Sequence, residues 1–483
     1  MRRSRMMRLG IGLYAVLSGP ACADPMSDTF QPDFFGTRAA LQQRTQGLTD
    51  PYLRSCELPT AALSISNAID LALCHNPSTR AAWAQAHQQA AALGVAESAW
   101  LPDISASGGV ARSFGPHQDD AGLITSNDQT TRDAAVNLTW TLYDFGNRHG
   151  RIRSARHLLD AAAATANSAA QQTILSVVQT YYGVVAADAG LAAARATEST
   201  AQRSWDIAKT LREGGVATLA DVLQAETAYE QAVLTRVQAA QNAQTSRGAL
   251  AVVLGLTADQ PLKLAAEPVP AEIPGLSARM EDLMAEAIRQ RPDLSAARAQ
   301  VDAAVADISV ARAAGRPTIS ISGGRSYIDQ TAVAGQNGAF SQKYNQIGVN
   351  VTIPIFTGFS VGYGVRQAQA VLQSREANAE QIRLNVSLDV WNAYYTLDSS
   401  NQQLATTATL TRTADNNQDV ALGRYQAGVG TILDVLTAQT AAANARQVRI
   451  TAELGWRVAR AQLALALGRL SSSQPLTEGG TLP

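Results

Sequence analysis

The stretch Leu101-Pro-Asp-Ile-Ser-Ala-Ser-Gly-Gly109 returns 215 positions later as Arg316-Pro-Thr-Ile-Ser-Ile-Ser-Gly-Gly324. Each copy closes an Ala-rich run and opens an alternating one. Proline explains the switch, because it has no N–H for a helix and biases its predecessor toward extended geometry. Each copy leads through a polar segment to a second alternating run. In the first, Val136, Leu138, Trp140 and Leu142 share a face, with Asn137, Thr139 and Thr141 on the other. In the second, Ile347, Val349, Val351, Ile353 and Ile355 oppose Gly348, Asn350 and Thr352. A period of two gives strands with one apolar and one polar face. The expected strands are about 103–115 and 134–144, then 318–328 and 346–357, with polar loops at 116–132 and 329–344.

Helices surround both strand pairs. A short one, about Ser66 to His75, ends at Asn76-Pro77, and the next runs to about Trp100. Asn76 can cap that second helix while Pro77 takes its first position, where a missing N–H is harmless. Arg291-Pro292 repeats the junction. Downstream, long helical runs extend from after Gly146 to about Arg212 and from about Val361 to Gln426, each ~100 Å at 1.5 Å per residue. Val177, Val178, Tyr181 and Tyr182 in one, and Val390, Trp391, Tyr394 and Tyr395 in the other, mark packing stripes.

Both long helices end at a reversal. The first reads Leu211-Arg-Glu-Gly-Gly-Val-Ala-Thr-Leu-Ala-Asp-Val-Leu223 and the second Arg424-Tyr-Gln-Ala-Gly-Val-Gly-Thr-Ile-Leu-Asp-Val-Leu436. Gly215 and Gly428 can adopt the left-handed conformation that stops a helix. Thr218 with Asp221, and Thr431 with Asp434, are spaced as capping boxes. Return helices end at Leu254-Gly255 and Leu467-Gly468. A helix–strand–strand–helix–helix plan is thus written twice, over 63–256 and 280–470. A linker at 257–279, with Pro261, Pro268, Pro270 and Pro274, joins them, and a polar tail occupies 471–483.

The chain has 483 residues, of which 16% are charged, against about 25% in ordinary soluble proteins. A net charge of −1 gives no strong attraction to nucleic acid. Arg2, Arg3, Arg5 and Arg8 precede an apolar run, Leu9 to Leu17, and then Ala21-Cys22-Ala23. That is the layout of a secretory signal over 1–23, whose cleavage would shift the charge from −1 to −5. Anchoring through Cys22 is disfavoured by Gly19, where lipoprotein signals usually carry Leu. Residues 24–62 read as an extended strap. Cys56 and Cys74 remain, an even pair in an oxidising compartment; they form a disulfide or stay as two buried thiols.

No later stretch supplies ~20 consecutive apolar residues for a transmembrane helix. Such an exported chain is secreted, periplasmic, or held in a membrane by strands. Four strands cannot close a barrel, and bacterial barrels begin at about eight. Other copies of the chain must complete the sheet, two giving 8 strands and three giving 12. Enzyme readings fail: His75, His87, His117, His149 and His157 form no metal spacing. There is no Walker motif or nucleophile elbow, and Gly358, Gly362 and Gly364 fit a backbone bend. No catalytic, cofactor-binding or metal-binding residue is expected.

The doubled plan, the proline-led strands and the Gly-Val-x-Thr-x-x-Asp-Val-Leu tips together resemble the TolC-type outer-membrane efflux proteins. The resemblance implies a homotrimer in outer-membrane lipid, with a 12-stranded β-barrel and a long periplasmic α-barrel. It also implies a periplasmic adaptor and an inner-membrane transporter, either ABC-type or proton-driven. By position, adaptor docking falls on Gly215, Val216, Ala217 and Thr218 with Gly428, Val429, Gly430 and Thr431. The periplasmic gate falls on Asp221, Tyr425 and Asp434, although both Asp residues also read as plain helix caps. Gly430 replaces an Arg, and Thr437 a second acid, found in some relatives. Cys74-His-Asn-Pro-Ser-Thr-Arg80, with Cys56, is similar to the CyaE-like branch serving type I protein secretion. The alternative within the family is multidrug or metal efflux. A periplasmic adaptor or a coiled-coil structural protein would not explain two hairpins and duplicated strands.

Overall fold

The computed structural model of the chain describes residues 33–45, 62–118, 122, 124–265, 279–331 and 339–470. The expected signal segment at 1–23, Cys56, most of the Pro-rich linker and the tail lie outside the described residues. After a helix α1 (Thr37–Arg44), the chain runs α2 (Ile65–His75), α3 (Pro77–Ser98), β1 (Asp103–Gln118), β2 (Ile124–Tyr143), α4 (Asn147–Glu213) and α5 (Leu219–Val253). The order then recurs as α6 (Met280–Gln290), α7 (Pro292–Ala313), β3 (Thr318–Thr331), β4 (Phe340–Thr352), α8 (Ser360–Gln426) and α9 (Ile432–Ala466). Corresponding helices have equal lengths, 67 residues for α4 and α8 and 35 for α5 and α9.

The strands form one antiparallel sheet in the order β1-β2-β3-β4. They are longer than the polar segments suggested. Pairing continues from Asp103 opposite Thr139 to Gln118 opposite Ile124, so most of 116–132 is strand. Likewise β3 and β4 pair out to Gln330 opposite Phe340, within the expected loop 329–344. The ladder is made by backbone groups, and Thr, Ser and Gln side chains do not interrupt it. At the other end β4 stops at Thr352 rather than at 357. Pro317 precedes β3 and Pro354 follows β4; neither can donate to the ladder, so Thr318 opposite Thr352 is the last pair.

The strap is not wholly extended either. The Asp33 carboxylate accepts from the Thr37 and Arg38 N–H groups, each at 2.9 Å, and starts α1. Leu41 from this helix is fully buried against Trp83, Leu93 and Leu159. A second cluster surrounds α4 at Ile174, Val177, Val178 and Tyr181. The Tyr181 hydroxyl donates to the Leu63 carbonyl at 3.1 Å, pinning the parallel bridge between Leu63 and Leu264. One window of α4 reaches a mean hydropathy of 1.2, enough by composition for a membrane span. That window is 44% buried, and Ile174, Leu175, Val177 and Val178 of α4 fill this cluster. In α8 the matching stripe is only half covered: Val390 is buried, while Trp391 and Tyr395 stand exposed and lie 4.8 Å apart.

Candidate functional site at the hairpin tips

Each tip is closed by backbone geometry that its sequence dictates. Gly215 and Gly428 take φ of 74° and 72°, where a side chain would be strained. The N–H of Val216 then reaches back to the Leu211 carbonyl, and that of Val429 to the Arg424 carbonyl. Across the turn, Asp221 Oδ2 accepts from the Thr218 N–H at 2.7 Å and the Thr218 hydroxyl accepts from the Asp221 N–H at 3.2 Å. Thr431 and Asp434 repeat the pair at 3.1 and 3.2 Å. Both boxes are complete, so both Asp side chains serve as caps.

Asp434 is exposed, and its carboxyl lies below its ordinary 3.8. The Thr431 hydroxyl is the main cause, followed by the Thr431 N–H and the Arg424 charge. A depressed acid contributes stability above its unfolded value and loses it as pH falls through the folded one. The difference in melting temperature between the parent and Asp434→Asn should therefore hold from about pH 8 to 5 and shrink only in stronger acid. A difference that changes near neutrality would assign the cap to another group.

Beneath the tips the two hairpins meet. Ala208, Val222 and Ala225 from the first pack against Tyr425, Ile432 and Val435 from the second. Tyr425 is 5% exposed, and its hydroxyl has no hydrogen-bond partner. Burial, and then the nearby Asp221 charge, push its phenol above 10.0, so it stays neutral. Asp221 is thus close enough to be felt while its carboxylate is held by Thr218. Asp434 sits in its own cap with Arg424 beside it. Gly430 is also a packing residue: a Cβ there would lie 3.2 Å from Arg424 Cβ and from the Tyr425 nitrogen. On this backbone the position has no room for an Arg without a shift of the α8 end.

The outer surface of the tips is apolar, with Val216, Leu219, Val429 and Leu433 all more than half exposed. Cys74 is buried and disulfide-bonded, and Cys56 lies outside the described residues. One cross-hairpin link carried no sequence signal. Gln439 Nε2 on α9 donates to Ser204 Oγ on α4 at 2.7 Å, and both are buried. Trp205, stacked on Tyr229 at 5.4 Å and capped by Lys209, flanks it. A single Ser or Gln in an Ala-rich helix looks like any other surface position until its partner is known. Above the link, a groove of about 820 Å³ between α4, α5 and α9 is lined by small and amide side chains such as Ala187, Gln238 and Asn444. It has no ionisable lining residue for acid–base chemistry.

An amphipathic sheet carried on very long, capped helical hairpins defines an export-duct type of membrane protein. The model of the family described as outer membrane efflux protein matches residues 68–256 and 283–469, and the chain belongs to that family. It is an outer-membrane channel with its helices in the periplasm, and not an enzyme. Protein CyaE of Bordetella pertussis is 32% identical over 421 residues, 85% of each chain. The toluene efflux pump outer membrane protein TtgF of Pseudomonas putida is 28% identical over 396 residues, 79% of each chain. The solved outer-membrane channel OprN has the same fold, with a TM-score of 0.72 at 21% identity over 85% of this chain and 91% of that one.

Proposed function

We propose that three copies of this chain form the passive exit duct of a tripartite export system. One observation carries the reading: the sheet order leaves β1 and β4 each with an edge that has no partner among the described strands. Open edges in lipid leave backbone groups unsatisfied, so the sheet must close with sister chains. Three copies give a 12-stranded barrel, and their helices, ~100 Å long, give an α-barrel. The exposed Leu384, Leu388, Trp391 and Tyr395 on α8 are the kind of face a neighbouring copy covers.

The tips, at Gly215–Thr218 and Gly428–Thr431, receive a periplasmic adaptor, with exposed Val216 and Val429 as its apolar contacts. An inner-membrane transporter behind the adaptor supplies the energy. Similarity to CyaE favours type I protein secretion with an ABC-type transporter. Similarity to TtgF favours the second reading, efflux of small molecules with a proton-driven pump. Cys56 is the proposed partner of Cys74.

Tyr425 with Asp221 and Asp434 forms the proposed periplasmic gate, and Tyr425 acts there by filling space between the hairpins. Tyr425→Ala should remove about 3–5 kcal/mol of packing and raise single-channel conductance in planar bilayers. Tyr425→Phe should match the parent, because the hydroxyl has no partner to lose. Equal leak from both variants would reassign the gate to the hydroxyl. For the duct as a whole, the protein should migrate as a heat-sensitive trimer from outer-membrane fractions, and a soluble monomer would end the proposal.

A further inference from the structure

The strand register sorts the sheet into two faces of opposite chemistry. One carries Ser105, Asn137, Thr139, Thr141, Ser320, Ser322 and Asn350. On the other, Ile104 lies opposite Leu138 and Ala106 opposite Val136. Trp140 lies opposite Ile321, and Ile321 in turn opposite Val349. In a membrane barrel the second face meets lipid. Its lower rim is aromatic: Trp140 donates to the Trp100 carbonyl at 2.9 Å, Tyr143 and Phe145 lie 4.6 Å apart, and Phe356 and Phe359 lie 5.5 Å apart. Aromatic collars of this kind sit at a membrane interface.

The upper rim is different. Toward this end each strand carries one cation on the same face: Arg112 on β1, with Phe114 beyond it, Arg132 on β2, Arg325 on β3, with Tyr327 beyond it, and Lys343 on β4, after Asn345. The ladder places them at similar height. Arg112 is opposite Thr130, Arg325 is opposite Val136, and Lys343 is opposite Tyr327, itself opposite Ala134. Projected on β2, the four fall between residues 130 and 136. All four are exposed. Arg132 is paired with Asp329 at 3.4 Å. Both hairpins continue to pair beyond this rim and the helices join the sheet at its other end, so in the barrel the belt falls at the external surface of the outer membrane.

We propose that this belt binds the phosphate groups of a phosphorylated glycolipid in the outer leaflet. The inference rests on the barrel reading above. Neutral lipid gives no reason to set a cation on each strand, since charge near hydrocarbon is unfavourable. An anionic headgroup supplies one, because Arg and Lys make charge-assisted hydrogen bonds to phosphate oxygens. Trimerisation repeats the belt around the barrel, and the aromatic lower rim faces the opposite leaflet.

The test uses the purified trimer in mild detergent, with bis-phosphorylated lipid A and the same lipid stripped of both phosphates, counted by native mass spectrometry. The parent should retain the phosphorylated form about tenfold better, with the preference falling as salt rises. Arg325→Gln combined with Lys343→Gln should abolish that preference while keeping trimer and conductance. The charge-preserving pair Arg325→Lys with Lys343→Arg should retain it. Equal retention of phosphorylated lipid by the Gln variant and the parent, or equal retention of both lipids by the parent, overturns the belt and leaves the duct standing. A parent protein that neither forms trimers nor conducts overturns the barrel reading and the belt with it.

Discussion

Arg148→Ala is expected to keep most of the chain from reaching the outer membrane as a trimer. Arg148 lies one residue into α4 and is only 6% exposed. Its guanidinium donates to the carbonyls of Ala99 at 3.2 Å, Thr141 at 2.7 Å and Leu142 at 2.9 Å, and to Asp144 Oδ2 at 3.1 Å. It also lies 4.2 Å over the Trp100 ring. One side chain thus ties the end of α3, the end of β2 and the start of α4 together, where the helical part meets the sheet. Truncation takes the donor from three carbonyls and leaves the half-buried Asp144 carboxylate with only the backbone N–H of residue 148, at 2.8 Å, which costs about 3–5 kcal/mol. Arg148→Lys keeps the charge but not the planar fork and should fall in between. The measurement is the fraction of heat-sensitive trimer in outer-membrane extracts. Parent-like assembly of the Ala variant would show that the staple is dispensable. The corresponding turn of the second half has Val361 one residue into α8, so the staple is not repeated there.

Gly255→Ala should be nearly as damaging, for a backbone reason. Gly255 has φ of 78°, and a Cβ would fall 2.5 Å from the His75 carbonyl oxygen. The left-handed penalty is about 1–2 kcal/mol and the overlap adds about 1–3 kcal/mol. Its counterpart Gly468, with φ of 75° and a closest approach of 2.9 Å to the Gln290 oxygen, should be hurt less by the same change. Gly455 lies inside α9 with nothing within 4 Å of its Cβ position. Gly455→Ala should therefore stabilise by about 0.5–1 kcal/mol. Denaturant midpoints of the three variants rank them, and equal losses at Gly255 and Gly455 would refute the close-approach argument.

Local chemistry is readable from residues a few positions apart. Pro102 and Pro317 stop helices because a ring nitrogen has no proton to give. Asn76 caps α3 by accepting from the Ser78 N–H at 2.8 Å, and the Thr-x-x-Asp boxes close both tips. Alternation at Val136–Leu142 and Ile347–Val351 marks strands whose faces differ. These features need only neighbours along the chain, and so composition and spacing reveal them.

What depends on distant partners was hidden. Thr130 and Gln330 look like loop residues, yet they pair because another strand lies beside them. Gln439 and Ser204 are separated by 235 positions, and nothing in either helix points to the other. The stripes at Val177–Tyr182 and Val390–Tyr395 are alike in residue type, yet α4 buries its own and α8 leaves Trp391 and Tyr395 outward. Gly430 shows the same limit: the missing Arg was visible, but the close approach of the α8 end to that position was not. Periodicity assigns a residue to a face of its own element. Which neighbour covers that face is set by how the elements pack, and packing energy is a property of pairs that the linear order keeps far apart.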